Sequence, residues 1–150
     1  MAMIDVSEKK DVLREATALG IIRLRSETIK LLQEGKIVKG DPLCTAKIAG
    51  VLAAKKTSEI IPLCHPLPLS SVKVYPKVLN ETTIEVLATV KTCAQTGVEM
   101  EALSAVSIAL LTIWDMTKQY EKDADGQYPT TAIQGIQVIR KYKQQVEHDE

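Results

Sequence analysis

Aromatic side chains are nearly missing from this chain: it has no phenylalanine and one tryptophan, and aromatics make up 3% of its residues. A core must then be aliphatic, and base stacking is a poor prospect as a binding mode. An excess of one charge is missing too, since 19 basic residues balance 19 acidic ones. Nucleic-acid binding through phosphate contacts needs a basic surplus, which is not there. A local basic pocket for a small phosphorylated ligand stays open, because net charge says nothing about clustering. Cysteines are few and odd in number, at Cys44, Cys64 and Cys93. Their wide spacing, without a Cys-x-x-Cys pair, suits neither a disulfide framework nor a structural zinc site. The first five residues lack the charged-then-apolar layout of a signal peptide. No apolar run approaches a membrane span. No linker, repeat or low-complexity tract divides the chain. These absences point to one cytoplasmic domain over residues 1–150, with a polar, fraying tail at 143–150.

What is present is ample material for one core: 150 residues, 45% of them hydrophobic. Residues 16–25 read as a strand through Leu19, Ile21, Ile22 and Leu24. Ser26 is placed to cap a short helix over 27–34, with Gly35 as its stop. Asp41 is a good N-cap for a second helix from Pro42 to about residue 56. Three prolines, Pro62, Pro66 and Pro68, make the next stretch a stiff, non-helical loop. Residues 70–79 and 83–93 alternate as a half-buried hairpin should. Thr96 and Glu99 have the spacing of a capping box, so a long helix is expected over 98–121, apolar nearly all round. A last strand follows over 132–141. Setting the extra helix aside, the order is β-α-β-β-α-β, which is that of a ferredoxin-like α+β fold. The expectation is an antiparallel sheet with its helices on one face. The other face would still show apolar residues, which predicts oligomerisation.

Few residues invite chemistry. His65 sits between Cys64 and Pro66 in the stiff loop; a site histidine and a loop histidine bonded to a backbone carbonyl are both open. Cys64 and His65 are a weak nucleophile pair, since neighbours in an extended loop point apart. Glu99 and Glu101 flank Met100 in the first turn of the long helix. Glu99 suits the helix dipole; Glu101, on a helix otherwise apolar, needs solvent or a partner. Asp115 and Lys118 are three apart and meet on one face. That is either a surface ion pair of little worth or an acid–base pair beside apolar walls. Lys39 precedes a helix start, where a phosphate could sit, or it is a solvated turn lysine. There is no phosphate loop and no Gly-x-Gly-x-x-Gly.

Taken together these segments are far more specific. The runs Ile61-Pro62-Leu63-Cys64-His65-Pro66-Leu67 and Thr96-Gly97-Val98-Glu99-Met100-Glu101-Ala102-Leu103 are joined, in order, by Leu24-Arg25-Ser26-Glu27, Lys39-Gly40-Asp41 and Asp115-Met116. The whole resembles the cyclic pyranopterin monophosphate synthase family, the MoaC accessory proteins of molybdenum cofactor biosynthesis. The resemblance covers residues 3–118. It implies a ferredoxin-like subunit assembled as a hexamer, a trimer of dimers, with sites at subunit interfaces. The implied reaction is lyase-type, of the phosphorus–oxygen class. It converts 3′,8-cyclo-7,8-dihydroguanosine triphosphate to cyclic pyranopterin monophosphate and releases pyrophosphate. By the same resemblance Asp115, Lys118 and Lys39 match the catalytic aspartate and the two essential lysines. Leu63, Cys64, His65, Met100 and Glu101, with Glu99 beside them, match substrate-binding runs. Arg14 and Arg25 match basic positions near the phosphates. No cofactor is implied; magnesium could accompany the triphosphate, with no dedicated cage for it. One departure stands out. Many bacterial members end in a Lys/Gly-rich run where this chain has Ile133 to Tyr142, so any phosphate contact there is absent or passes to Arg140 or Lys141. Two other readings remain. A ligand-sensing ferredoxin-like module needs neither Lys39 nor the Asp115–Lys118 pair. An RNA-binding domain is opposed by the scarce aromatics and zero charge.

Overall fold

The computed structural model describes residues 1–145. In chain order its elements are β1 (Val12–Arg23), α1 (Ser26–Gln33), α2 (Pro42–Lys55), α3 (Thr57–Ile60), β2 (Leu69–Asn80), β3 (Thr83–Ala94), α4 (Glu99–Glu121) and β4 (Ala132–Lys143). The four strands form one open antiparallel sheet in the order β2-β3-β1-β4. That is the ferredoxin-like arrangement the element order predicts, with α2 or α1 as the extra helix and α3 as one further short turn.

Alternation explains the packing. Ala16, Ala18 and Ile22 of β1 and Ile84, Val86, Ala88 and Val90 of β3 are buried on one sheet face. The register pairs Ala18 with Ala88 and Ile22 with Ile84, so both strands turn the same face inward. Against it lies α4, through Ala102, Ala105, Val106, Ala109, Leu110 and Ile113, all fully buried. Small residues let the elements close up. A Cβ on Gly20 of β1 would lie 2.8 Å from Leu110 Cδ1 and 2.9 Å from Val106 Cγ1. One on Gly50 of α2 would lie 3.0 Å from Val74 Cγ2 and 3.1 Å from the Ala105 carbonyl oxygen. By length and composition alone α4 would suit a membrane span; here it is the core helix. On the opposite sheet face Thr17 and Thr89 share a hydrogen bond of 2.9 Å, and Leu19, Ile21 and Leu87 are half-buried.

Several local expectations need correction. β1 begins at Val12, not at residue 16, and ends at Arg23. Arg14 and Glu15 hide the alternation in its first part, and pairing to strands on both sides sustains it there. Ser26 makes no capping bond: α1 has Arg25 as its N-cap, and the Arg25 N–H instead donates to the Glu121 carboxylate, 3.1 Å from each oxygen. The capping box at Thr96 does not form, because α4 starts one residue after Val98 and has no side-chain cap. β4 runs through Lys143, past the expected end at 141 and into the supposed tail, by pairing with Arg14. His148 and residues 146–150 of that tail lie outside the described residues.

Candidate active site

The expected site residues fall into two clusters at different heights on α4. One surrounds its C-terminal half. Asp115 projects from the helix and takes two cations on one carboxylate: Lys118 Nζ donates to Oδ1 and Lys39 Nζ to Oδ2, each at 2.9 Å. Lys39 Nζ also donates to the Asp115 carbonyl oxygen at 3.1 Å. Lys118 and Asp115 meet because they are three residues apart on a helix. Lys39 arrives from the turn between α1 and α2, where Ile37 is buried and Gly40 takes a φ of +115° that favours glycine. All three charged side chains stay open to solvent. The hydrogen bonds from Lys118 and then Lys39 hold the Asp115 carboxyl down at about 2. In return Asp115 pushes the Lys118 ammonium above its ordinary value. Both partners are therefore charged at neutral pH. Arg25 belongs to this end, its Nη1 donating to the Tyr120 carbonyl at 3.3 Å.

The other cluster surrounds the start of α4. A cavity there is lined by Leu63, Cys64, His65, Gly97, Glu99 and Met100, among others. The proline-stiffened loop forms one wall and the first turn of α4 the other. His65 takes the structural option in part: its Nε2 lies 2.7 Å from the Ile4 carbonyl oxygen, pinning the N-terminal segment. Cys64 Sγ lies 3.9 Å from Glu101 Oε1. Burial, then the nearby Glu101 carboxyl, pushes the Cys64 thiol up. Glu101 is only 3% exposed, and its Oε2 is buried with no hydrogen-bond partner among the described residues. Burial, reinforced by the Glu99 charge, raises its pKa. Glu101 thus stands behind Cys64 and not on the cavity wall with Glu99 and Met100. Glu99 differs from it. Burial opposes its ionisation, but Lys141 Nζ at 2.6 Å, its own backbone N–H and the nearby Arg14 charge together hold its pKa down. Arg14 and Lys141 line a smaller depression that shares Gly97 and Glu99 with the loop cavity. The Arg14 guanidinium meanwhile donates to the carbonyls of Ala94 and Gln95, at 3.3 and 3.2 Å.

Some neighbours of these clusters were not legible as site residues. Of five aromatic residues in the chain, three gather beside Asp115. Trp114 packs edge-on against Tyr128 with ring centres 5.2 Å apart. The Tyr120 hydroxyl accepts from the Val38 N–H at 2.9 Å. Their rarity was the available signal, together with the place of Tyr120 two residues past Lys118. Glu121 carries no such signal in its sequence surroundings. It is 1% exposed at the end of α4, where the helix dipole disfavours a carboxylate. Arg25 N–H, the Thr28 hydroxyl and the Thr131 hydroxyl all donate to it.

Both clusters lie within one family pattern. The sequence model of the MoaC family matches residues 3–144. A Sulfolobus acidocaldarius protein named probable cyclic pyranopterin monophosphate synthase is 55% identical over 141 residues, 94% of this chain and 98% of its own. Its namesake in Pyrococcus furiosus is 55% identical over 143 residues, 95% of this chain and 91% of its own. In Methanothermobacter thermautotrophicus, a probable cyclic pyranopterin monophosphate synthase accessory protein is 57% identical over 141 residues, 94% of this chain and 88% of its own. With the match running through the Lys39 turn, the Cys64–His65 loop and the whole of α4, the chain belongs to the MoaC family.

Proposed function

We propose that this protein is a cyclic pyranopterin monophosphate synthase, a lyase of early molybdenum cofactor biosynthesis. It takes 3′,8-cyclo-7,8-dihydroguanosine triphosphate and yields cyclic pyranopterin monophosphate and pyrophosphate. The observation that carries this reading is the pair of ammonium groups on one exposed aspartate, Lys39 and Lys118 each 2.9 Å from Asp115. Rebuilding a guanine-derived ring system into a pterin moves several protons, and a charged lysine oriented by a carboxylate donates them. Closing the cyclic phosphate requires a substrate hydroxyl to attack the α-phosphorus while the bond to the β-phosphate oxygen breaks. Negative charge then builds on departing pyrophosphate, and Lys39 and Lys118, with Arg25 at the same end of α4, would meet it. The loop cavity with Leu63, Cys64, His65, Glu99 and Met100 holds the ring end of the substrate. Glu101 supports that wall from behind Cys64. Magnesium enters this reading only as a companion of the triphosphate. Among the described residues no three His, Cys, Asp or Glu side chains gather to hold a metal.

The same reading includes an assembly. From Met100 to Asp115 the helical rise amounts to about 22 Å. A group doing acid–base chemistry must reach hydrogen-bonding distance of the reacting ring. A ring held in the loop cavity is out of reach of Lys118 in its own subunit, so a neighbour's Asp115 cluster completes the site. The half-buried apolar residues of the outer sheet face suit such contacts. The assembly is a hexamer of three dimers, acting in the cytoplasm. The deciding assay supplies the cyclic dihydroguanosine triphosphate under reducing conditions. Equal release of pyrophosphate and of a pterin that fluoresces after oxidation is expected, and no turnover by the intact chain overturns the assignment.

A further inference from the structure

Lys39 lies in a turn, not in a regular element, yet its ammonium reaches both an oxygen of the Asp115 side chain and the Asp115 carbonyl, at 2.9 and 3.1 Å. A lysine side chain has several free torsions, so such a placement depends on where its backbone is fixed. Three contacts fix it. Ile37 is buried, and Gly40 turns with its φ of +115° against the Met116 side chain. The third is directional: the Val38 N–H donates to the Tyr120 hydroxyl at 2.9 Å. Val38 is exposed, so water would satisfy its N–H without a tyrosine. The bond adds little to stability and much to geometry. It ties the residue next to Lys39 to the same helix that carries Asp115 and Lys118. The Tyr120 carbonyl also accepts from Arg25 Nη1 at 3.3 Å, on a guanidinium whose Nε lies 3.7 Å from Glu27 Oε2.

We propose that Tyr120 is a positioning residue, whose hydroxyl clamps Val38 and so holds the Lys39 ammonium on the Asp115 carboxylate. The inference rests on the reading that Lys39 and Asp115 work together, and it deepens that reading. Tyr128 packs edge-on against Trp114, the residue before Asp115.

The test is Tyr120→Phe in the full-length protein, read in two ways. The first needs no substrate: the Asp115 carboxyl is titrated by NMR in the unmodified protein, in Tyr120→Phe and in Lys39→Met. With the clamp gone Lys39 spends less time on Asp115. The midpoint in Tyr120→Phe should rise part of the way to that of Lys39→Met, while the thermal midpoint of unfolding stays put. An unchanged Asp115 midpoint beside a raised one in Lys39→Met overturns the proposal. The second reading is turnover, where losing one oriented hydrogen bond should lower kcat about five-fold with KM little changed. Wild-type kcat with a shifted Asp115 midpoint supports the clamp and counts instead against the reading that Lys39 and Asp115 work together in turnover. An unmodified protein without turnover defeats the proposed function and leaves the titration to judge the clamp. Val38 amide exchange gives a check free of any variant: it should be slower than that of exposed Lys39, and equal rates overturn the clamp.

Discussion

Asp115 illustrates how a residue read as ordinary in a sequence changes meaning when a third group arrives. A lone Asp–Lys pair on a helix is worth little. Two lysines on one carboxylate, one of them brought from another element, leave an excess positive charge aimed outward. Replacing either Lys39 or Lys118 by methionine should cut pyrophosphate release by roughly 10²–10⁴-fold, the range of a lost acid–base group, with the unfolding midpoint nearly unchanged because both side chains are exposed. Steady-state kinetics beside a thermal melt check this, and near-normal rates in either variant would remove that lysine from the mechanism. Glu101 offers the opposite case, a carboxyl raised by burial. Its folded state binds the proton more tightly than its unfolded state does. The stability it contributes is therefore complete below the ordinary value of 4.5 and is lost as pH rises through the raised folded pKa. Glu101→Gln lacks this dependence. The variant should gain on the parent as pH climbs from 4 to 8, because only the parent must ionise a buried carboxyl over that range. Urea melts at a series of pH values measure it, and a difference that stays flat with pH would mean that Glu101 ionises freely.

At the scale of the element, α4 does two jobs: its buried face builds the core and its two ends carry the two clusters of candidate site residues. The packing face is fixed by contact with Gly20, where any larger side chain drives into Leu110 and Val106. Gly20→Val should lower stability by about 1–3 kcal/mol through overpacking, seen as a reduced urea midpoint at constant slope. Stability equal to the parent would show that α4 can lift off the sheet at no cost. The helix itself, the stiff loop and the hairpin were legible in sequence because apolar periodicity and proline report on local backbone directly. So was the ferredoxin-like order. What the pattern hid were features settled by tertiary partners. Ser26 and Thr96 have the chemistry of caps, but Glu121 receives the N–H at the start of α1 and Glu99 is drawn to Lys141 instead. In the first part of β1 Arg14 and Glu15 interrupt the alternation, and pairing on both sides holds it as strand. The site shows the same division. Asp115 with Lys118 follows from helical spacing, whereas the approach of Lys39 is a contact across 76 positions of sequence. No local rule speaks to that distance; the family resemblance did.

For the whole molecule the decisive geometry is the separation of the two clusters along one rigid, buried helix. Bending α4 to bring them together would break its hydrogen bonds and strip the core from the sheet, so the ends cannot meet within one subunit. A site shared between subunits has a signature that a site within one subunit lacks. His65→Ala leaves the aspartate cluster intact, and Lys118→Met leaves the loop cavity intact. When two such subunits pair, one shared site collects both lesions and the other collects neither. Random dimers formed by co-expressing or co-refolding the two variants should recover about a quarter of the parental rate, since half are mixed and each mixed dimer has one intact site of two. Each variant alone stays near its own low level, and mixing them after assembly, without exchange of subunits, restores nothing. Turnover that never exceeds the sum of the two separate variants, in dimers proven mixed by mass, would return both clusters to a single subunit. The substrate would then have to bridge about 22 Å of helix on its own.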